Sequence, residues 1–200
     1  MKITDKCNPV FISLGGSGGK IMEDLDTDLF PLDYQLHINT DRNSLRQRNV
    51  TRFIIGEKCI QGNSCSRSPT LGKQAIDESI ITILTKLINT TDVFIIAGLG
   101  GGTGSAAPHL AKLLIQNGKK VHLILSVLGL DSESNLTHQN VENAISEANE
   151  IEPELARLLI MKQDWSRFDK ITNFDECLFH FHQEIAEAIV INKDRLKFKK

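Results

Sequence analysis

Residues 93–108 have the composition of an anion-binding turn. An apolar run ends at Ala97, and a helical pattern begins at Ser105. The candidate binding residues of this turn are Gly100, Gly101, Gly102, Thr103, Gly104 and Ser105. Glycine lets the backbone approach a ligand closely, and free N–H groups at a helix start point at an anion. A tight loop without a ligand is the alternative, and three consecutive glycines before Thr-Gly-Ser favour phosphate binding.

A second unit of this kind lies near the start of the chain. Residues 9–14 are predicted to form a buried strand, and residues 21–25 have helical spacing. The residues joining them are Gly15, Gly16, Ser17, Gly18, Gly19 and Lys20. This is not a Walker A loop, which needs glycine at Leu14 and a hydroxyl residue at Ile21, nor a GxGxxG fingerprint. Lys20 either contacts a phosphate or is a solvated lysine.

Polar residues follow two further predicted strands. Asn39, Thr40 and Asp41 come after a strand over 34–38, and the carboxyl end of a strand is where open α/β sheets bind ligands. A helix N-cap is the other interpretation of these residues. A strand over 52–55 precedes a polar loop over 56–69, whose serines and Arg67 are candidate phosphate donors. A surface loop without a ligand is an equal alternative there.

The remaining periodicity predicts the elements that must position these residues. We predict strands over 92–97 and 121–127, and helices over 70–89, 105–117, 138–150, 154–160 and 174–191. The segment 154–160 has a strand over 158–161 as its alternative. Strands that alternate with helices predict an α/β fold, with a mostly parallel sheet and helices on both faces.

Composition limits the classes of function. The chain has 200 residues, a net charge of −2 and 24% charged residues, which gives no reason to expect nucleic acid as a partner. We find no apolar run of membrane-spanning length and no signal peptide, so a cytoplasmic location is expected. We predict no metal site at the cysteines. Cys177, His180 and His182 lie close together in the sequence, but no second pair of ligands accompanies them. We expect one domain over 1–191 and a basic tail over 192–200.

Four motifs occur in a specific order over the first 120 residues. We define the first loop as residues 15–20, the second as 39–41, the third as 64–67 and the fourth as 100–105. They are similar to the motifs GGGGN, INTD, GEK…G…NP…G and GGGTG(S/T)G of one family. Lys20 replaces the Asn of the first motif, Ser64-Cys65-Ser66-Arg67 replaces Gly-Ala-Gly-Gly in the third, and the fourth lacks its last glycine. The chain therefore resembles the nucleotide-binding N-terminal domain of the tubulin/FtsZ superfamily, and it looks closer to the FtsZ branch.

The resemblance implies a Rossmann-like GTPase-domain fold that binds GTP or GDP with Mg²⁺. The α- and β-phosphates would contact Gly16, Ser17, Gly18 and the fourth loop. The γ-phosphate and Mg²⁺ would contact the second loop and the residues Ser64, Cys65, Ser66 and Arg67. Glu133 would hold the ribose. The family reads guanine with an Asn after the preceding strand and with a Phe and an Asp on the last helix; Phe179 and Gln183 have that spacing here. Because Gln183 is not a carboxylate, the choice of guanine or adenine stays open.

The family also uses an acidic loop that completes the hydrolytic site of the neighbouring subunit. We find no such loop after residue 191, so we expect GTP hydrolysis that is weak or depends on a partner. The chain would then be a nucleotide-dependent switch or an assembling subunit. The alternatives are an interaction module with a vestigial site, which docks through its basic tail, and a dinucleotide-binding Rossmann protein of a redox enzyme.

Overall fold

The computed structural model describes residues 8–25, 27–45, 50–127, 129, 134–163 and 173–190. Within these ranges the chain forms a six-stranded sheet with the order β3-β2-β1-β4-β5-β6. Every neighbouring pair of strands is parallel, which confirms the predicted α/β class. The strands are β1 (Val10–Leu14), β2 (Gln35–Asn39), β3 (Thr51–Ile54), β4 (Asp92–Gly98), β5 (Lys120–Val127) and β6 (Arg157–Lys162).

Helices cover both faces of this sheet. They are α1 (Gly15–Asp24), α2 (Pro69–Lys86), α3 (Gly102–Ser105), α4 (Ala107–Gln116), α5 (Asn135–Ile151) and α6 (Phe174–Val190), with 3₁₀ turns at Leu32–Tyr34, Arg42–Leu45 and Glu152–Glu154. Buried residues of α2, α4 and α5 share one apolar cluster with Ile12 and Leu14. Residues of α1 and α6 share the other cluster with Phe11. Because strand side chains alternate between faces, β1 contributes to both cores. None of the helices among the described residues has the length and apolar character that crossing a membrane requires.

Two predicted helices are placed differently by the structure. The helix expected over 154–160 is wrong, and the strand alternative is right: α5 ends at Ile151, a 3₁₀ turn contains Pro153, and β6 then pairs with β5. The apolar run of β6 is strand-sized, and its pairing with β5 decides its conformation. The helix expected from residue 105 begins earlier, at Gly102, and is interrupted at Ala106, two residues before Pro108. Proline has no N–H to continue the helical hydrogen bonds.

The first loop also differs from expectation, because its glycines belong to a helix. Helix α1 begins at Gly15, directly after β1, and not near Ile21. Gly18 packs so closely on β4 that an added Cβ would lie 2.5 Å from the carbonyl oxygen of Ile96. In the fourth loop, a Cβ on Gly104 would lie 2.1 Å from the carbonyl oxygen of Gly98. Both helix starts therefore require glycine for close packing against β4.

The substitution Gly104→Ala tests this packing. Its methyl group has no room beside the Gly98 carbonyl oxygen, so the free energy of unfolding should fall by about 2–3 kcal/mol. Gly101→Ala is the matched control, since a Cβ there meets no atom within 4 Å and its φ of −83° suits alanine. Chemical denaturation should show a change within about 0.5 kcal/mol for the control. Equal losses for the two variants would contradict the packing described.

Candidate functional site

The four predicted loops meet at the carboxyl edge of the sheet, where the strand order reverses between β1 and β4. The ends of these strands are neighbours, with Leu14 in register with Ala97. A Cβ on Gly15 would lie 3.0 Å from the backbone nitrogen of Gly104, which joins the first loop to the fourth. A reversal of this kind is where doubly wound sheets bind ligands. The structure therefore brings together the loops that the sequence separates by up to 90 residues.

Bare backbone faces open space on both sides of this reversal. An added Cβ on Gly16, in the first turn of α1, meets no atom within 4 Å, and the same holds for Gly101 at the N-cap of α3. The first turn of α1 contains no acidic residue. The N–H groups of a first helical turn lack partners within the helix and carry partial positive charge. This edge has the shape and the electrostatic sign to receive an anion.

The side chains of Thr40, Cys65 and Thr103 contact one another. The Cys65 Sγ atom lies 3.1 Å from Thr40 Oγ1 and 2.9 Å from Thr103 Oγ1. The two hydroxyl oxygens are 3.0 Å apart. All three residues are buried. These side chains, predicted as phosphate contacts, join the second, third and fourth loops to each other.

The second loop is ordered by its own carboxamide and carboxylate. The Asn39 side-chain oxygen accepts from the backbone N–H groups of Thr40, at 2.8 Å, and Asp41, at 3.4 Å. The Asp41 carboxylate accepts from the Asn43 N–H at 2.8 Å and the Ser44 hydroxyl at 2.9 Å. Asp41 therefore caps the following 3₁₀ turn, which confirms the capping interpretation of this residue. A carboxylate has lone pairs left for a cation after accepting two hydrogen bonds.

The third loop holds two ordinary residues in the left-handed region. Ser66 has φ of 47° and Arg67 has φ of 62°. The Ser64 hydroxyl accepts from the Ser66 N–H at 3.2 Å. This backbone conformation is disfavoured for residues with a Cβ, and the resemblance places glycines of the family in this loop. The backbone of this loop therefore has a conformation typical of glycine, although Ser66 and Arg67 carry side chains.

The Arg67 guanidinium lies at the start of α5. Its Nη1 atom is 3.4 Å from the Ser134 hydroxyl and 3.5 Å from the Thr137 hydroxyl. No carboxylate pairs with it among the residues that the structure describes. The positive end of α5 adds to the same field. Arg67 is thus an uncompensated cation beside the loops, although its role toward phosphate stays a prediction.

Helix α5 also supplies a residue that sequence analysis missed. The Asn140 side-chain nitrogen donates to the Arg67 carbonyl at 2.8 Å and to the Gly100 carbonyl at 3.0 Å. The Ser105 hydroxyl accepts from the Gly100 N–H at 2.9 Å. Nothing in the sequence distinguishes Asn140 from a surface residue of an amphipathic helix. It ties the third and fourth loops to α5.

A polar cleft of about 600 Å³ adjoins these loops. It lies between the start of α2 and one side of α5, with Arg67, Lys73 and Asn143 among its lining residues. Lys73 is paired with Glu147, so Arg67 is the cation of the cleft that has no acidic partner among the described residues. We call the open backbone at Gly16 and Gly101 the glycine cradle. The cleft extends the candidate site away from this cradle.

The segment before α2 is held by a carboxylate. Glu78 accepts from the backbone N–H groups of Lys58 at 2.9 Å and Cys59 at 3.0 Å. The Lys58 N–H lowers the pKa of the Glu78 carboxyl, because hydrogen bonds favour its charged form. Burial raises the pKa of the Cys59 thiol. These contacts fix the path of the chain into the third loop.

The residues predicted for the base and ribose are less concentrated. Glu133 lies outside the described residues. Phe179 is 46% exposed on α6. The Gln183 side-chain nitrogen donates to the Asp24 carbonyl at 2.7 Å, next to a 2.6 Å contact between His182 Nδ1 and the Asp24 carboxylate. Asp24 ends α1, about 12 Å along the helix from Gly16 at 1.5 Å per residue. Gln183 thus joins α6 to α1, and base contacts by Phe179 and Gln183 stay predictions.

A second missed residue lies at the end of β6. Gln163 is 6% exposed, and within the described part of the chain neither polar atom of its side chain has a hydrogen-bond partner. Its backbone N–H donates to the Val127 carbonyl at 2.9 Å, which places it at the carboxyl edge. The resemblance implied that the family has an Asn at the end of the strand before the last helix, and it assigned no residue of this chain to that role. The expectation of a helix over 154–160 concealed the position.

The strand order and the parallel pairing define a doubly wound α/β fold, and the comparisons make the assignment specific. The family model "Tubulin/FtsZ family, GTPase domain" matches residues 8–164. The chain belongs to the tubulin/FtsZ family, as its motifs predicted. The cell division protein FtsZ of Mycoplasmopsis pulmonis is 28% identical over 188 residues, covering 90% of this chain and 47% of that protein. FtsZ of Aquifex aeolicus is 37% identical over 113 residues, covering 56% and 31%.

Solved structures agree with the fold. CetZ2 from Haloferax volcanii, in a GTPgS-bound protofilament, superposes with a TM-score of 0.78 at 23% identity, covering 92% of this chain and 57% of that one. An empty FtsZ dimer from M. jannaschii gives 0.77 at 20% identity, covering 94% and 54%. The chain spans about half the length, or less, of the curated relatives it matches. The fold is that of the tubulin/FtsZ GTPase domain.

Replacing Ser66 by glycine tests the strain in the third loop. Glycine has no Cβ penalty at the φ of 47° found here, so Ser66→Gly should raise the free energy of unfolding by about 0.5–1 kcal/mol. Ser64→Gly is the matched control, because Ser64 does not have a positive φ and its hydroxyl accepts a hydrogen bond from the Ser66 N–H. Urea denaturation should show destabilisation for the control. A loss of stability in Ser66→Gly would argue against strain.

Proposed function

We propose that this chain binds GTP or GDP with Mg²⁺ at the carboxyl edge of the sheet. One observation carries the proposal: the backbone at Gly16 and Gly101 faces open space at the strand-order reversal, so phosphates can reach it. The α- and β-phosphates would accept hydrogen bonds from the first and fourth loops. Membership of the tubulin/FtsZ family supports guanine as the base.

The γ-phosphate end would lie toward the second and third loops. The Asp41 carboxylate fits Mg²⁺, which proteins often hold with one carboxylate together with phosphate oxygens. When bound, Mg²⁺ neutralises phosphate charge. Arg67 would add a cation on the other side, where it has no carboxylate partner among the described residues. The third and fourth loops contain no carboxylate that could orient a water molecule, so hydrolysis by this chain alone would be slow.

The base would contact Gln163. Its primary amide donates and accepts, as a purine edge requires, and its two polar atoms, which are buried, have no hydrogen-bond partner among the described residues. Phe179, Gln183 and Glu133 are the further contacts that the resemblance implies. The protein would act in the cytoplasm as a nucleotide-dependent switch or as a subunit that assembles with itself or a protein partner.

Nucleotide binding is tested directly on the purified protein. Chromatography and mass spectrometry would identify any retained nucleotide, and calorimetry with GTP, GDP, ATP and NAD, each with and without Mg²⁺, would rank affinities. At 100 times Kd the ligand should stabilise the protein by about 2.7 kcal/mol. Light scattering with GTP tests assembly. The absence of binding by any guanine nucleotide would refute the proposal.

The variant Gly16→Ala should separate stability from binding. Alanine favours the first turn of α1 by about 0.5–1 kcal/mol, while its methyl group fills the open side of the cradle. We expect an unchanged or higher melting temperature and a weaker affinity for GTP by at least about tenfold, which is about 1.4 kcal/mol. Thr85→Ala, at an exposed position near the end of α2, is the control and should leave affinity unchanged. Equal affinity of Gly16→Ala and the wild type for GTP would show that the backbone of Gly16 does not contact the nucleotide.

The substitution Gln163→Met tests the unpartnered amide. Removing a buried polar group without partners should stabilise the nucleotide-free protein by about 1–2 kcal/mol, and affinity for GTP should fall. Gln35→Met is the matched control: Gln35 is also buried, but its side-chain nitrogen donates to the Phe30 carbonyl at 2.7 Å. That variant should lose about 1–3 kcal/mol of stability. Denaturation and calorimetry measure both quantities, and destabilisation by Gln163→Met would mean that the amide has a structural role.

A further inference from the structure

The contacts among Thr40, Cys65 and Thr103 form a closed ring of hydrogen-bonding groups. The three separations are 3.1, 2.9 and 3.0 Å. A hydroxyl or thiol can donate one hydrogen bond and accept another, so each member can donate to the next and accept from the previous one. Thr40 is 1% exposed and Cys65 is 2% exposed. Each polar group of the ring therefore has a partner within the ring.

The third loop is held at its other end by helix α5. Asn140 is 4% exposed, and its side-chain nitrogen bonds the Arg67 and Gly100 carbonyls together. The Ser68 N–H donates to the Cys65 carbonyl at 2.8 Å, which closes the loop on itself. Ser68 also packs against the fourth loop, because a Cβ on Gly102 would lie 2.9 Å from its backbone nitrogen and oxygen. The loop is therefore fixed at Cys65, which is buried, and at the Arg67 carbonyl, while the side chains of Ser64, Ser66 and Arg67 face outward.

These contacts hold the third loop through Cys65 on one side and through Asn140 on the other. We propose that Cys65 is a positioning residue that holds the third loop against the second and fourth loops, so that the terminal phosphate of a nucleotide does not order this loop. The inference rests on the proposed function, because it concerns how the third loop responds to a bound nucleotide. The entropy cost of ordering the loop falls on folding and not on ligand binding. The loop would then have the same conformation with a diphosphate as with a triphosphate.

Hydrogen exchange of the full chain tests the proposal. Backbone amide exchange over residues 60–70 would be followed by mass spectrometry without nucleotide, with GDP, and with GTPγS and Mg²⁺. Protection at Ser66 and Ser68 reports the contacts to Ser64 and Cys65. In the wild type we expect protection without nucleotide, and changes of less than about twofold on adding either nucleotide.

Cys65→Ala should raise the exchange rates at Ser66 and Ser68 without nucleotide by about tenfold, and GTPγS should restore protection. Cys177→Ala removes another buried thiol, on α6, and should leave these rates unchanged. Cys65→Ser keeps a group that donates and accepts, so it should resemble the wild type. Should Cys65→Ala fail to fold by circular dichroism, Asn140→Ala provides the second route to the same loss of protection.

Two outcomes would overturn the proposal. In one, wild-type Ser66 and Ser68 exchange rapidly without nucleotide and become protected only with GTPγS. In the other, Cys65→Ala folds and exchanges like the wild type or, where it does not fold, Asn140→Ala exchanges like the wild type. Affinities measured in parallel keep the two proposals distinct: if no nucleotide binds, the proposed function fails, while the wild-type and variant rates without nucleotide still decide the role of Cys65.

Discussion

The close approach of two helix starts to strand β4 is the constraint on which the rest of this structure depends. Gly18 of α1 leaves no room for a Cβ beside the Ile96 carbonyl, and Gly104 leaves none beside the Gly98 carbonyl. Both helices are thereby drawn to one point at the carboxyl edge. The same lack of side chains exposes the backbone of Gly16 and Gly101 on the open side. Glycine therefore explains both features. It lets the two helices pack closely against β4, and it leaves backbone groups accessible to a ligand.

The sequence was sufficient for the fold class, because β1, β4 and β5 are largely apolar runs bounded by glycine or polar residues. It was insufficient for β6. An apolar run of four residues, such as 158–161, has no periodicity that separates strand from helix, and pairing with β5 decided the matter. The error had a functional consequence, since Gln163 acquires its place at the edge only once β6 is a strand. The wrong helix assignment over 154–160 is thus the reason that Gln163 was not recognised as a candidate base contact.

The sequence also predicted which loops would meet, but not how their side chains would be used. The contacts among Thr40, Cys65 and Thr103 span 25, 38 and 63 residues. Asn140 reaches the third loop across 73 residues. Such pairings depend on distances set by the packed helices, and no spacing along the chain encodes them. Residues that a motif marks as ligand contacts were found bonding each other, which assigns their side chains a structural part in the site.

The left-handed residues of the third loop give an independent argument about the same contacts. Ser66 and Arg67 adopt a conformation that opposes their own side chains. Strain of this kind persists only where the surroundings impose it. The neighbours on either side supply that restraint, Cys65 through its two hydroxyl partners and Asn140 through the Arg67 carbonyl. A loop free to relax would leave the left-handed region, so its observed path is set by packing against the second and fourth loops and α5.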